Sequence, residues 1–398
     1  MKKTPSVLLI GEAASPTGYA RVSRSIFERL VDRYQITQFA TRYDGGSHDL
    51  PWPLIIASRD DDPYGYSHIA ALIRDLSPDL IFSVYDISLL IGYIRQIREV
   101  PHHAAIVFYV PVESGPLDPR IAQEFESVDC LVAYTQYGRN ELRAAAASIA
   151  KTPRIEVIPH GVDLNRFYPL SQNRQEARLL GRNHLQLRDA HWQDAFIVLN
   201  ANRNMERKRI DLTIRGFATF SRNHPDAYLY LHMGMLERGW HLQTLAERYG
   251  ILDRLLLTTD AGMHPNESDF FLNALYNACD VGISTSSGEG WGLLNFEHAA
   301  TGGALVLPRH TALAELWDGA AACLDPVMTL NWPGTLASQY IVNDLDLASK
   351  LTRLYEDRSH LAMRANQAYE VAHNRTYRWD TIATQWDALF QEILLTKS

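Results

Sequence analysis

The sequence of 398 residues predicts an α/β protein with two doubly wound domains, each a parallel β-sheet covered by helices on both faces. The first observation is the length, because a chain of this size exceeds one ordinary hydrophobic core and favours about two domains. The second is a regular alternation of short apolar runs with segments of helical period. The third is a break in this alternation near the middle of the chain, after which it restarts. Two such domains in tandem predict a cleft.

The first half of the chain carries short apolar runs that predict buried strands. Strands covered on both faces are apolar almost throughout, and the helices between them make the sheet parallel. We assign residues 1–170 to this first Rossmann-like domain. Its predicted strands are VLLIG, ITQFA, DLIFSV, AAIVFYV, CLVAYT and RIEVIPHG.

A polar stretch of irregular period over residues 171–194 predicts a linker with one short helix. The alternation then restarts, and we assign residues 171–375 to a second Rossmann-like domain. From Asp344 to Leu395 the pattern is helical, with Asp344 as the predicted cap. The predicted strands of the second domain are AFIVLNA, AYLYLHM, RLLLTT, VGISTS and ALVLP.

Composition argues against several classes of protein. A formal net charge of −8 and a pI near 6.0 disfavour a general nucleic-acid binder, although a local basic pocket for one phosphate group stays compatible. The 3 cysteines are widely spaced and suggest neither a disulfide framework nor a metal cluster. The N-terminal apolar run is too short for a signal peptide or a membrane span. We therefore expect a cytoplasmic protein.

The loop after the predicted strand VGIST is the first site candidate. It runs from Ser286 to Gly292 and leads into the helix LLNFEHAATG, whose first N–H groups and dipole favour an anion. Glu289 and Glu297 repel phosphate, so we expect both to accept hydrogen bonds from hydroxyl groups, most simply those of two sugars. The alternative is that Glu297 is a solvated helix residue and that Glu289 caps the helix.

A second loop follows the predicted strand Phe196–Leu199 and is rich in arginine and lysine. Arg203 and Lys208 supply a planar donor fork and a point charge, a combination that suits a phosphate group. Lys208 is the only lysine between Lys151 and Lys350. The alternative is a solvated run of charges at a helix start, although the helix dipole disfavours cations there.

Two other loops after strands are weaker candidates. The first-strand loop, GEAASPTGYAR, carries Gly18, which leaves room for a sugar or diphosphate, and Arg21. The three spaced glycines of a dinucleotide-binding fingerprint are absent from this loop. The turn IPHGVD carries His160, and a loop histidine is more often a structural donor than a catalyst.

These four loops, in this order and spacing, resemble those of the retaining family 4 glycosyltransferases of the GT-B fold. The resemblance extends over nearly the whole chain. It implies two Rossmann-like domains facing across a cleft, with 1–170 on the acceptor side, 171–375 binding the nucleotide sugar, and a helix over 376–398 packing back on the first domain. The motifs that carry it are TGYAR, IPHGVDLNRFYP, NRNMERKRIDL, GEGWGLLNFEHAATG and YRWDTIATQWDALFQEIL.

The resemblance implies a role for each matched residue. Arg203 and Lys208 would bind the donor diphosphate and stabilise the leaving nucleoside diphosphate, while Glu289 would contact the transferred sugar. Glu297 would hold the ribose hydroxyls. Further donor contacts are implied for the backbone of Gly290, Trp291, Gly292, Leu293 and Leu294 and, on the opposite side of the cleft, for Gly18.

The implied activity is transfer of a hexose-type sugar from a nucleoside-diphosphate sugar, UDP- or GDP-linked, to an acceptor hydroxyl with retention of anomeric configuration. No metal or cofactor is implied, because the arginine, the lysine and the helix amides neutralise the departing diphosphate. The acceptor would be a glycan, a lipid-linked molecule or a small molecule. Nothing in the sequence places a second carboxylate as a covalent nucleophile, so we do not expect double displacement.

One departure from the family pattern concerns the first domain. Many members carry a histidine after the fourth strand of this domain, whereas this chain reads FYVPVESGPLDPR and has no histidine between His103 and His160. We expect Glu113 or Ser114 to supply the missing polar contact, with His160 and Arg21 as further substrate-binding candidates. The basic loop also reads Lys-Arg where Lys-Gly is usual.

Two alternative functions stay open at this point. A non-catalytic GT-B module that binds nucleotide sugars would explain the missing histidine, and a nucleotide-sugar epimerase would share the fold and the diphosphate site. A dehydrogenase is disfavoured because the glycine fingerprint is absent. The arginines of RVSRSIFERLVDRY could contact a membrane surface, but a solvated helix face explains them equally well.

Overall fold

The computed structural model describes residues 4–15, 17–57, 61–147, 149, 151–331 and 337–397. The chain divides into a first unit, residues 1–161 with 376–398, and a second unit, residues 162–375. In each unit a parallel sheet carries helices between its successive strands. The predicted fold class is therefore confirmed.

The described part of the first unit forms a sheet of seven parallel strands. Its strands are β1 (Ser6–Glu12), β2 (Gln35–Thr41), β3 (Leu54–Ile56), β4 (Leu80–Val84), β5 (Ala105–Val110), β6 (Cys130–Ala133) and β7 (Arg154–Val157). They lie in the order β3-β2-β1-β4-β5-β6-β7, so the direction of winding reverses between β1 and β4. The sequence predicted six of these strands and missed β3, whose three residues are too few to show a period.

Side chains among the described residues cap the starts of three helices of the first unit. The helices between the strands of this unit are α1 (Gly18–Phe27), α2 (Ile69–Leu76), α3 (Ile87–Ile97), α4 (Pro119–Glu124) and α5 (Gln136–Ala146). The side chain of Thr17 accepts the N–H of Ala20 at the start of α1, and Thr135 accepts the N–H of Gly138 at the start of α5. Such caps satisfy amides that have no partner within the helix.

The described part of the second unit forms a sheet of six parallel strands and a separate antiparallel hairpin. The sheet strands are β8 (Phe196–Asn200), β9 (Ala227–Leu231), β10 (Leu255–Leu257), β11 (Val281–Ile283), β12 (Ala304–Pro308) and β13 (Ala322–Leu324). Their order is β10-β9-β8-β11-β12-β13, and the winding reverses between β8 and β11. The hairpin consists of β14 (Pro326–Leu330) and β15 (Gln339–Val342). The sequence analysis missed β13, β14 and β15.

The polar stretch over residues 171–194 is not a linker. It contributes α6 (Arg174–His184) and α7 (His191–Asp194). The later helices of the unit are α8 (Ile210–Ser221), α9 (Leu242–Arg248), α10 (Asp269–Ala278), α11 (Leu293–Ala300), α12 (Thr311–Trp317), α13 (Asp344–Glu356) and α14 (Arg358–Ala372). Helix α6 packs against α10 with Gly181 and Arg182 on its buried face. Arg182 is 1% exposed and donates to the carbonyls of Ala278 and Ala195. Because Gly181 and Arg182 occupy the buried face, this face does not show the apolar pattern from which a helix is predicted.

The boundary between the units falls after Gly161, earlier than the residue 170 expected from the sequence. The segment that follows is anchored to α10. The N–H of Tyr168 donates to Asn273 Oδ1 at 3.0 Å, and the N–H of Leu170 donates to Asn277 Oδ1 at the same distance. These bonds place the segment in the second unit.

The last helix, α15 (Trp379–Lys397), belongs to the first unit, as predicted. Its Trp386 and Phe390 are fully buried. The ring of Phe390 lies 6.0 Å from that of Phe82 in β4 and 6.2 Å from that of Phe27 in α1. The helix thus completes the core beneath the first sheet.

Cys130, Cys279 and Cys323 are all buried and free. The described part of the chain contains no helix with the length and apolar character needed to cross a membrane.

We expect Gly181→Ala to destabilise the second unit. A Cβ atom there would lie 2.6 Å from the carbonyl oxygen of Ala274 and 2.7 Å from the amide nitrogen of Ala278, so α6 and α10 would have to separate. Overpacking of this kind costs about 1–3 kcal/mol, and the better helix propensity of alanine offsets up to about 1 kcal/mol. Urea unfolding measures the loss. The matched control is Gly262→Ala, where no described atom lies within 4 Å of the new Cβ; equal stabilities of the two variants would contradict the close packing.

Candidate functional site

Two loops meet at the reversal point of the second sheet, where open α/β sheets bind ligands. One follows β8 and contains the basic run, and the other follows β11. Residues of the loop after β11 bind backbone carbonyls of the basic loop. The N–H of Ser287 donates to Arg207 O at 2.8 Å, and the hydroxyl of Thr285 donates to Arg209 O at 2.8 Å. These bonds fix Lys208 against the β11 loop.

Lys208 and Glu289, both predicted site residues, form a buried ion pair. Their side chains are 10% and 11% exposed, and the ammonium donates directly to the carboxylate. The guanidinium of Arg207 lies 3.7 Å from the same carboxylate and also donates to the carbonyl of Gly288. Burial alone would raise the pKa of Glu289, but the charges of Lys208 and Arg207 outweigh it and hold that pKa below the usual value. The carboxylate therefore stays ionised.

The backbone around Glu289 is held by the start of α12. The hydroxyl of Thr311 donates to Glu289 O at 3.0 Å, and Nε2 of His310 lies 3.0 Å from Ser286 O. Burial lowers the pKa of His310 to about 4, so the ring is neutral and Nε2 carries the donated proton. No sequence motif indicated His310 or Thr311 as site residues.

Helix α11 begins directly after Gly292, as the sequence predicted. Gly292 has a φ of 85°, and a Cβ atom there would lie 2.5 Å from Asn295 Nδ2, so the turn requires glycine. No side chain among the described residues caps this helix start. Trp291 is turned into the core, where its ring stacks on Phe296 at 4.9 Å. Only the backbone of residues 290–294, which includes Gly290, Leu293 and Leu294, suits the predicted ligand contact.

Glu297 lies on α11 and is 3% exposed. Its carboxylate accepts a hydrogen bond from the Tyr276 hydroxyl at 2.8 Å. The alternative interpretation, a solvated helix residue for Glu297 and a helix cap for Glu289, is therefore wrong for both. Each is a buried carboxylate with a specific donor.

Arg203, on the same loop as Lys208, has a different partner. Its Nε donates to Glu237 Oε2 at 2.9 Å, and its side chain is 52% exposed. Glu237 follows β9 and was missed by the sequence analysis. The signal was available, because the strand AYLYLHM was predicted and ligand-binding residues of parallel sheets follow strands.

Glu237 is held from several directions. Its Oε1 accepts the N–H of Gly234 at 2.8 Å and lies 3.2 Å from His264 Nδ1. Burial opposes ionisation, but hydrogen bonds from His264, Gly234 and Arg203 outweigh it and lower the pKa of Glu237 to about 2. This carboxylate is charged throughout the physiological range.

Three predicted residues of the first unit lie near the carboxyl ends of its strands. Gly18 and Arg21 are on the first turn of α1, which follows β1, and Glu113 is half-buried in the loop after β5. Their roles stay predictions. Pro16, in the same loop as Gly18, lies outside the described residues.

His160, also in the first unit, has the contacts of a structural residue. It is 4% exposed, its Nδ1 lies 2.8 Å from the Tyr109 hydroxyl, and that hydroxyl donates to Ile158 O at 2.7 Å. Burial lowers the pKa of His160 to about 3, so the ring is neutral at physiological pH. A substrate contact for His160 stays a prediction.

The described residues contain no group of three or more His, Cys, Asp or Glu side chains arranged to hold a metal ion. Positive charge in this part of the second unit comes from Lys208, Arg207 and Arg203 and from the start of α11.

We expect the unfolding free energy of Glu237→Gln to depend less on pH than that of wild type at acid pH. A folded-state pKa of about 2, against an ordinary value of 4.5, means that the unfolded chain binds more protons between these values. The stabilisation is fully present above about pH 4.5 and is lost as the pH falls towards about 2. The difference in unfolding free energy between wild type and variant, measured by urea titration, should shrink over that range. A difference that stays constant, or an equal effect of Glu247→Gln on the exposed face of α9, would contradict this assignment.

Three curated proteins match the sequence significantly. One is the D-inositol 3-phosphate glycosyltransferase of Salinispora tropica, 30% identical over 239 residues that make up 58% of this chain and 44% of that protein. Another is the mannosylfructose-phosphate synthase of Agrobacterium fabrum, 29% identical over 41% of this chain and 34% of that protein. The match thus spans less than half the length of these relatives. No protein-family model matches the chain.

Solved structures resemble the chain over nearly its whole length. The sucrose-phosphate synthase of Thermosynechococcus elongatus has a TM-score of 0.75 at 17% identity, covering 99% of this chain and 100% of that one. HepE of Anabaena, solved with UDP and glucose, has a TM-score of 0.73 at 17% identity, covering 98% and 100%. At this identity the likeness concerns the fold. The resemblance inferred from the motifs is therefore confirmed: the chain has the GT-B fold, and the named proteins that it matches in sequence are glycosyltransferases.

Proposed function

We propose that this chain is a retaining glycosyltransferase that moves a hexose-type sugar from a nucleoside-diphosphate sugar to an acceptor hydroxyl. The observation that supports it most is the contact between Lys208 and Glu289 beside the start of α11. This contact places a cation suited to phosphate next to a carboxylate suited to sugar hydroxyls. HepE, which shares the fold, was solved with UDP and glucose, and a UDP- or GDP-linked donor is proposed here.

In this proposal the second unit binds the donor. Arg203, Lys208 and the amides at the start of α11 neutralise the diphosphate, so that no metal or cofactor is required. An ammonium has three N–H donors, which allows Lys208 to keep its contact with Glu289 while it binds a phosphate oxygen. Arg203 offers the planar fork that suits a second phosphate oxygen pair.

The two glutamates act as acceptors for hydroxyl groups. Glu289 is proposed to orient the transferred sugar, because it is ionised and fixed by Lys208 and by the backbone bonds to Thr311. Glu297 is proposed to hold the ribose. Its bond from the Tyr276 hydroxyl fixes the position of the carboxylate on α11.

The transfer is proposed to proceed on one face of the donor sugar. The bond between the anomeric carbon and the phosphate oxygen breaks, and its electron pair stays on the departing diphosphate, where Arg203 and Lys208 stabilise the charge. The acceptor oxygen forms the new bond from the same face, and its proton passes to the departing phosphate oxygen. Removal of one such stabilising group costs about 10²–10³ in turnover in enzymes that stabilise an anion.

Acceptor binding is assigned to the first unit. Glu113 is proposed to take the place of the histidine found in many family members, with Arg21 on α1 as a further acceptor contact, while Gly18 is proposed as a contact of the donor. The acceptor would be a glycan, a lipid-linked molecule or a small molecule, and the protein would work in the cytoplasm. The two curated relatives described above are named for phosphorylated substrates or products.

The donor site should bind one nucleoside diphosphate without metal. Calorimetric titration of UDP, GDP and ADP in buffer with EDTA should give one tight ligand, and Glu297→Gln should weaken that ligand because the ribose loses a charged acceptor. A loss of about tenfold corresponds to about 1.4 kcal/mol. Glu247→Gln, on the exposed face of α9, is the matched control and should bind like wild type. Wild type that binds none of the three would contradict the donor site.

The product should keep the anomeric configuration of the donor. Proton NMR of the product from an acceptor screen reports this configuration through the coupling at the anomeric position. Inversion would contradict the proposed same-face attack. Epimerised donor in the absence of acceptor would instead indicate the epimerase, and donor binding without any product over a broad screen would indicate the non-catalytic module.

A further inference from the structure

Glu237 is a buried carboxylate that the proposed transfer does not use. It lies in the loop after β9, and its side chain is 2% exposed. Oε1 accepts the N–H of Gly234 at 2.8 Å and that of Asn204 at 3.3 Å, while Oε2 accepts Nε of Arg203 at 2.9 Å. Oε1 is thus held by two backbone amides and by His264, and Oε2 accepts from the arginine.

The loop that carries Glu237 is clamped to the basic loop. Asn204 donates to Trp240 O at 2.7 Å and accepts the N–H of Trp240 at 3.0 Å. A Cβ atom on Gly239 would lie 2.2 Å from Asn204 Oδ1, so the two loops are in close contact. The carboxylate is therefore in a fixed position relative to the backbone of Arg203.

Glu237 itself has a φ of 37°, in the left-handed region. A glutamate adopts such a conformation only where surrounding contacts impose it, and residues of this kind cluster at functional sites. A glycine would relieve the strain but would lack the carboxylate. The chain keeps the side chain at a cost in backbone energy.

The bond to Nε determines how the guanidinium is presented. The group is planar and carries five N–H donors in a fixed arrangement, so fixing Nε also fixes the plane and direction of the two terminal nitrogens. Arg203 is half exposed, which leaves its terminal end accessible to a ligand. A long side chain that is already held loses less rotational freedom when it binds.

We propose that Glu237 is a positioning residue of the donor site, which holds Arg203 through Nε so that its terminal guanidinium nitrogens meet the donor diphosphate. This inference rests on the proposed function. Glu237 acts through Arg203 and makes no contact with the donor. Its negative charge also offsets that of the arginine, so its effect on affinity comes from orientation and not from added attraction.

The test is a double-mutant cycle on Glu237 and Arg203. Glu237→Gln keeps the size of the side chain, but its NH₂ group faces either Arg203 Nε or, beside His264 Nδ1, the N–H groups of Gly234 and Asn204. Arg203 Nε and the two backbone amides are donors, so the NH₂ group cannot replace the carboxylate oxygen that accepts from them. We expect Glu237→Gln to weaken the preferred nucleoside diphosphate by about tenfold, close to the loss in Arg203→Ala. In the Arg203→Ala background, Glu237→Gln should cause no further loss, because the residue through which it acts is gone.

The matched control is Asp211→Asn, which alters another carboxylate–arginine pair next to the same loop. Asp211 Oδ2 lies 2.8 Å from Arg209 Nη2, and the two side chains are 18% and 17% exposed. This variant should bind nucleotide like wild type. Melting temperatures are measured for all variants, and if Glu237→Gln does not fold, Glu237→Asp replaces it in the cycle.

Steady-state kinetics with a donor and acceptor separate positioning from a general loss of folded protein. Misplacement of Arg203 should raise KM for the donor and lower kcat per folded molecule, whereas a lower folded fraction alone would reduce kcat without a change in KM. Equal affinities of wild type and Glu237→Gln would overturn the inference and leave the proposed function intact. Additive losses in the cycle would also overturn it. Wild type that binds no nucleotide would instead overturn the proposed function.

Discussion

The buried ion pair between Lys208 and Glu289 is the constraint on which the candidate site depends. Two charges removed from water are favourable only if their geometry is good and further hydrogen bonds satisfy them, and the loss of one partner typically costs about 3–5 kcal/mol. The pair joins the loop after β8 to the loop after β11, so both loops must hold their backbones in place. The hydroxyls of Thr285 and Thr311 and the ring of His310 supply that support.

Both cations with proposed roles at the diphosphate have a carboxylate partner, Lys208 through Glu289 and Arg203 through Glu237. Without their carboxylate partners, the two cations would repel one another, and the site would attract many different anions. The fixed carboxylates orient each cation and reduce its attraction for anions in general. The groups are then in place before any ligand arrives, so less reorganisation is needed when charge develops on a leaving group.

Much of this arrangement could be predicted from the sequence, because it depends on local patterns. Apolar runs gave most strands of both sheets, and the glycines and carboxylates between Glu289 and Glu297 marked the start of α11. What could not be predicted depends on contacts between distant segments. The helix α6 was hidden because Arg182 is buried through bonds to the carbonyls of Ala195 and Ala278. Glu237 has no motif, since its role follows from the clamp between two loops, and nothing local indicates that Trp291 stacks on Phe296.

The position of α15 has a consequence for how the protein is made. The hydroxyl of Tyr34 donates to Asp387 Oδ1 at 2.9 Å across 353 residues, and Trp386 and Phe390 fill the core beneath the first sheet. On a ribosome, the first 161 residues leave the exit tunnel long before this helix is synthesised. The second unit can close its core earlier, although its sequence comes later. During that interval the aromatic side chains that α15 later covers are exposed to solvent. Exposed apolar surface of this kind is what chaperones bind on nascent chains.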